Sequence, residues 1–210
     1  MGLRTKHWGP HAWRVLRSLA NYWDHHGVHA PIKWWGLLDS LPCSHCRTCS
    51  QAFWSSYPHR ITARYNRDFI YLLHQHVNVK LMRQEAHAAA SDKELQEVLN
   101  HWYRVQPPVD QHYVTKIGSL TNLLSVTSYL CFSVYDRHAH TREATLVDIC
   151  TMLPIPLRLP LGFSALTRAD KVGFICRYMT GVVRACGHSG AYASESFLDM
   201  CVSAVVSCDA

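Results

Sequence analysis

Charge is scarce in this 210-residue chain: 17% Asp, Glu, Lys and Arg beside 48% hydrophobic residues, a balance that excludes disorder. The formal charge is +6, but the 21 basic residues are scattered. No run of Lys and Arg is interleaved with aromatics, so no nucleic-acid partner is expected. The first 105 residues show no alternation of apolar and polar positions, which argues against strands there. The opening Met1-Gly2-Leu3-Arg4-Thr5-Lys6-His7-Trp8 has no apolar h-region of a secretory signal. Lys6 stands where a myristoylation motif wants Ser or Thr. Long apolar runs are missing too, with one exception. Ile117 to Tyr135 is uncharged for 19 residues, long enough for a membrane span. Ser119, Thr121, Asn122, Ser125, Thr127, Ser128 and Ser133 dilute it, so a buried soluble helix is expected instead of a span.

What the chain does have is cysteine and histidine, nine and fifteen residues respectively. The cysteines are not spaced like a small disulfide scaffold, which leaves redox or metal roles for some of them. Three fall in Leu41-Pro42-Cys43-Ser44-His45-Cys46-Arg47-Thr48-Cys49, a C-x-x-C at a predicted helix start with a third cysteine behind it. Pro42 fits a first helical turn, where its missing N–H costs nothing. Cys43 then sits among free backbone N–H groups at the positive end of the helix dipole, which stabilise a thiolate. Sulfurs one turn apart can close a small ring and reopen it. A thioredoxin-like setting is excluded, because a Trp-rich helix and not a strand precedes the motif. Zinc is the competing reading, with Cys43, Cys46, Cys49 and a histidine as ligands. Against it, residues three apart on a helix step about 300° (that is, −60°) around the axis, so the three sulfurs fan out over about 120° and do not converge on one ion without unwinding the helix. His74, His76, His138 and His140 lie far off in sequence.

Helical patterning runs through the chain. Trp8 to Trp23 places Trp8, Ala12/Trp13, Leu16, Leu19/Ala20 and Trp23 on one side, with Trp13, Arg17 and Asn21 on a strip. Asp24-His25-His26-Gly27-Val28-His29-Ala30-Pro31 ends that helix. A second helix spans about Ile32 to Leu41. After the cysteine helix and a turn at Tyr57-Pro58-His59, a long helix covers about Asn66 to Arg83. Ser91-x-x-Glu94 is a capping box for the next, whose inner face carries Leu95, Val98/Leu99 and Trp102. Gln106-Pro107-Pro108 is the domain boundary. The predicted fold class is all-α: a bundle of about five helices over residues 1–105, then a mainly helical region over 109–210. In that region Ile117 to Tyr135, Asp170 to Cys186 and Glu195 to Cys208 read as helices. Leu153 to Pro160 is extended by its prolines, and Gly187-His188-Ser189-Gly190 is a flexible joint. Cys131, Cys150, Cys176, Cys186, Cys201 and Cys208 read as small buried residues, not as an electron relay.

Three ordered segments go further. Trp8-Gly9-Pro10-His11-Ala12-Trp13-Arg14-Val15-Leu16-Arg17, Pro42-Cys43-Ser44-His45-Cys46, and Leu73-His74-Gln75-His76-Val77-Asn78-Val79-Lys80-Leu81 together resemble the Erv/ALR family of FAD-dependent sulfhydryl oxidases. The family pattern is a G-x-x-x-W-x-x-L-H helix, a C-x-x-C helix and H-N-x-V-N-x-K-L. The W-G-P opening most resembles members encoded by large DNA viruses. The resemblance covers residues 1–105. It implies that Cys46 is the flavin-proximal sulfur and Cys43 the one that meets substrate thiols. It also implies FAD contacts from Gly9, Trp13, Arg17, Asn21, His45, His74, Asn78, Lys80, Leu81 and Trp102. His74 and Trp13 would lie near the adenine, Asn78 and Lys80 near ribose or phosphate. Arg17 replaces the usual histidine, and Gln75 replaces the first asparagine of H-N-x-V-N. The family's disulfide around the last helix has no counterpart, since residues 82–105 lack cysteine. The implied partners are thiol-containing protein substrates, molecular oxygen and a second copy of the chain, with no metal. The implied location is the cytoplasm (of a host cell, for a viral member), with the mitochondrial intermembrane space as alternative. The alternative function is a zinc- or cysteine-stabilised helical interaction module without catalysis.

Overall fold

One helix, α1 (Thr5–His25), has partners on two sides and organises the rest. The structure is a computed structural model describing residues 5–28, 31–56, 66–105, 117–135 and 143–188, with side chains starting at 8 and 32 and stopping at 101 in the segments concerned. The other helices are α2 (Pro31–Asp39), α3 (Ser44–Ser56), α4 (Asn66–Ala88), α5 (Asp92–Val105), α6 (Leu120–Tyr135), α7 (Glu143–Cys150) and α8 (Arg168–Ala185), with a 3-10 turn at Phe163–Ala165. No strand occurs among the described residues, so the fold class is all-α.

The apolar residues Trp8, Ala12, Val15, Leu16, Leu19, Ala20 and Trp23 are all buried along α1, at the three- and four-residue spacings of a core-facing stripe. α4 packs against α1, and α6 packs between α1 and α8. Described residues from both sides of Gln106 share one hydrophobic cluster, from Trp8 to Val183. Trp23 meets Trp34 edge-on at 4.8 Å, and Trp34 meets Phe69, which joins α1, α2 and α4.

Two polar devices fix these packings. Asp24, in the last turn of α1, accepts the backbone N–H groups of Asn66 (2.6 Å) and Arg67 (3.1 Å) at the start of α4. It is an N-cap supplied by another helix. Asn66 also receives Trp34 Nε1 at 2.8 Å and donates to the Val28 carbonyl. On the far side of α1, the buried Ser18 hydroxyl donates to Asn122 Oδ1 at 3.0 Å, and Asn122 Nδ2 donates to the Ile117 carbonyl. Ser125 and Thr127 of α6 donate back to their own helix, to the Thr121 and Leu123 carbonyls. None of the described helices is long and apolar enough to cross a membrane.

Several expectations change here. α7 has no clear sequence signal: its buried Thr145, Leu146, Ile149 and Cys150 fit in two turns, too short for a period to show. It is held to α2 by Lys33–Asp148 and to Ser40, just past the end of α2, through Thr145. The capping box forms with Ser91 accepting the Glu94 N–H, while Glu94 reaches back to the N–H of Ala90. Leu99, expected on the inner face of α5, is 38% exposed, because the described contacts of α5 are with α4. Of the expected joint, Ser189 and Gly190 lie outside the described residues, and what is described begins with Gly187. At φ +82° it closes α8, the left-handed stop that glycine permits, and His188 Nε2 donates to the Gly118 carbonyl at 2.8 Å. Residues 153–160 are non-helical as the prolines require. Cys131, Cys150 and Cys176 are buried, with 3.7 Å between the sulfurs of Cys131 and Cys176. Burial pushes the Cys150 thiol up to about 12, partly offset by Tyr178. Cys186 is only half-buried, and Cys201, Cys208 and the helix expected around them lie outside the described residues.

Candidate functional site

α3 starts at the cysteine motif, but one residue later than Pro42 suggests. The Cys43 carbonyl accepts the Arg47 N–H at 2.9 Å, the first bond of the helix. The Cys43 sulfur accepts the Cys46 N–H at 3.3 Å, so Cys43 is the N-cap and Pro42 precedes it. Arg47 turns back to the Leu41 carbonyl at 2.7 Å and closes the approach to the helix. Cys43 and Cys46 are half-buried against the hydrophobic cluster, as are Phe53 and Trp54 further along. Cys49 takes a different direction. Ser50, the next residue, is buried, whereas Cys49 faces α4.

α4 forms the wall that the other segments meet. His74 receives Arg17 Nη2 on Nδ1 at 2.8 Å and packs its ring against Trp13, with centroids 4.2 Å apart. Arginine only donates, so His74 is neutral and carries its proton on Nε2. Burial, reinforced by the Arg17 charge, lowers its pKa to about 4, consistent with that state. One turn on, Asn78 is buried and its Nδ2 has no partner among the described residues. Trp8 Nε1, on α1, is in the same condition. Lys80 then reaches α3, with Nζ 2.7 Å from His45 Nε2 and 2.8 Å from Cys49 Sγ. Beyond it, His76, Val79, Lys80, Arg83, Gln84 and His87 line a cleft of about 450 Å³.

The expected site residues therefore fall into two groups joined by α4: Trp13, Arg17, His74 and Asn78 on one side, His45 and Lys80 on the other. Gly9 is buried early in α1, Asn21 is half-buried one turn after Arg17, and Leu81 is 36% exposed on α4. Trp102 lies on α5, with its side chain outside the described set. Sequence reasoning missed two members. Trp8 reads as core, although its indole N–H lacks a partner. Cys49 reads only as a zinc candidate, although it shares Lys80 with His45. Among the described residues no three His, Cys, Asp or Glu side chains converge as metal ligands would.

The buried Asn78 amide N–H and the buried Trp8 indole N–H lack partners among the described residues, the condition of groups that a bound ligand satisfies. The half-buried Trp13 and His74 rings lie together, with the Arg17 cation beside them, whereas the Lys80 cation lies against α3. No protein-family model, curated protein or solved structure matches this chain.

Proposed function

We propose that the chain is an FAD-dependent sulfhydryl oxidase of the Erv/ALR type, acting on protein thiols with oxygen as final acceptor. The observation that carries this reading is the meeting of three distant segments at α4. Trp13 and Arg17 of the first touch His74 of the third, and His45 of the second touches Lys80 of the third.

The chain's own chemistry is thiol exchange. A substrate thiolate attacks Cys43 of a Cys43–Cys46 disulfide; the mixed disulfide forms and Cys46 leaves as a thiolate. A second substrate thiolate then attacks the first substrate sulfur, forming the substrate disulfide and releasing Cys43. Two substrate thiols are oxidised and one cysteine pair is reduced. Bound FAD supplies the two-electron acceptor that restores the pair and passes the electrons to oxygen as hydrogen peroxide. Trp13 and His74 would hold the adenine, with His74 Nε2–H as donor. The Asn78 amide and the cations of Arg17 and Lys80 would fix ribose and phosphates. A second copy of the chain completes the proposed assembly.

Protein as isolated should absorb as oxidised flavin does, and the released cofactor should be FAD, not FMN. Cys43→Ser and Cys46→Ser should each abolish thiol oxidation. Cys43→Ser alone should show a long-wavelength charge-transfer band from the remaining Cys46 thiolate. Folded, colourless protein that takes up no added FAD would overturn the proposal. A band in Cys46→Ser instead would reverse the roles of the two sulfurs.

A further inference from the structure

Three of the described cysteines are buried: Cys131, Cys150 and Cys176. Cys150 has Tyr178 beside its thiol. Cys131 and Cys176 have each other. Their sulfurs lie 3.7 Å apart, one on α6 and one on α8, across 45 residues of sequence. Both residues are shut off from solvent, at 0% exposure. A lone buried cysteine is an ordinary small apolar residue. Two that meet by their sulfurs across a helix interface are the partners that a disulfide needs.

The register of the two helices makes this meeting a property of the backbone. His188, just after α8, donates to the Gly118 carbonyl, just before α6, and with the Cys131–Cys176 contact this makes the helices antiparallel. Cys131 lies 13 residues beyond Gly118, and Cys176 lies 12 residues before His188. At about 1.5 Å per residue the two cysteines stand level, roughly 18–20 Å from that clamp. Packed helices have axes about 8–10 Å apart and Cα atoms about 2.3 Å off the axis, so facing Cα atoms come within about 5 Å. A disulfide spans that separation, and closing the sulfurs to a bond of about 2.05 Å takes about 1.6 Å, shared by two χ1 rotations.

We infer that Cys131 and Cys176 form a disulfide that staples α8 to α6, with a low-molecular-weight disulfide such as oxidised glutathione as the oxidant. The inference does not depend on the proposed oxidase activity. One cysteine, as its thiolate, attacks a sulfur of the oxidant, and one glutathione thiolate leaves. The thiolate of the other cysteine attacks the protein sulfur of that mixed disulfide, forming the Cys131–Cys176 bond and releasing the second glutathione. The two protein thiols lose two electrons and two protons, and the oxidant becomes two glutathione thiols. Both sulfurs are closed off in the folded chain, so the exchange takes place while α8 is away from α6, during folding or in a local opening. Once α8 is seated, the bond is closed to reductants as well. It fixes a loop of 45 residues that includes α7, and so acts chiefly by restricting the unfolded chain.

Trypsin separates the partners: Cys131 falls on peptide 117–137, Cys176 on 172–177 and Cys150 on 143–158. Full-length protein is unfolded and reduced, refolded with reduced and oxidised glutathione, quenched in acid, labelled with N-ethylmaleimide in denaturant and digested. Peptides 117–137 and 172–177 should appear mainly as a cross-linked pair, with Cys150 labelled by maleimide. Refolding with dithiothreitol instead should lower the melting temperature by roughly 5–15 °C, a loss that Cys131→Ala/Cys176→Ala should not show. Maleimide or glutathione on both peptides, without a cross-link, would overturn the inference. An equal loss in the double variant would show that the bond staples nothing. Where the reduced chain does not refold, protein translated in vitro with oxidised glutathione is digested in the same way, and the same cross-link decides.

Discussion

His74 is a neutral imidazole held by a cation, an arrangement with a definite pH signature. Its folded-state pKa lies near 4, below the 6.5 of an ordinary histidine, chiefly through burial and secondarily through Arg17. The unfolded chain therefore binds a proton between about pH 6.5 and pH 4 that the folded chain does not. The stability contributed by neutral His74 is fully present above pH 6.5 and is lost as pH falls toward 4. Urea midpoints measured from pH 7.5 to 4.5 should drop less steeply in His74→Gln than in wild type. Equal slopes would show that His74 titrates as a free histidine. The pairing of Trp13 and Arg17 with His74 was legible in the sequence because the three lie in ordered motifs. The pairing of Cys49 with Lys80 was not. It depends on how α3 crosses α4, and residue spacing within either helix carries no information about a crossing.

Elements show the same division between local and distant signals. The cap of α5 was readable because Ser91 and Glu94 are three residues apart and satisfy each other's turn. The cap of α4 was not, since Asp24 is 42 residues upstream of Asn66 and reads as part of a helix-breaking loop. The buried Ser18–Asn122 bond between α1 and α6 was equally hidden, because Asn122 looks like one more polar residue in a diluted apolar run. That bond has a measurable value. Asn122→Ala leaves the Ser18 hydroxyl and the Ile117 carbonyl unpaired and should cost about 1–3 kcal/mol by urea denaturation. The double variant Ser18→Ala/Asn122→Ala should be less destabilised than the two single changes added together. Strict additivity would mean that the two side chains do not depend on each other.

At the scale of the molecule, α1 lies between α4 and α6, and the helices on both sides of residues 106–108 contribute to one apolar cluster. Unfolding should accordingly be one event. All seven tryptophans precede residue 103, so their fluorescence follows the first half alone, whereas far-UV circular dichroism follows every helix. The two signals should give coincident urea transitions. An earlier loss of ellipticity, with fluorescence unchanged, would show that the second half melts by itself. The position of α1 also has a consequence for a chain still being synthesised. α4 covers one flank of α1 soon after it is made, but α6 is not complete until residue 135, some 47 residues after α4 ends. At about 5–20 residues per second that is an interval of roughly 2–10 s. Through those seconds the nascent chain displays the bare flank of α1 to every chaperone and every neighbouring polysome, and its yield in a cell depends on what reaches that flank first.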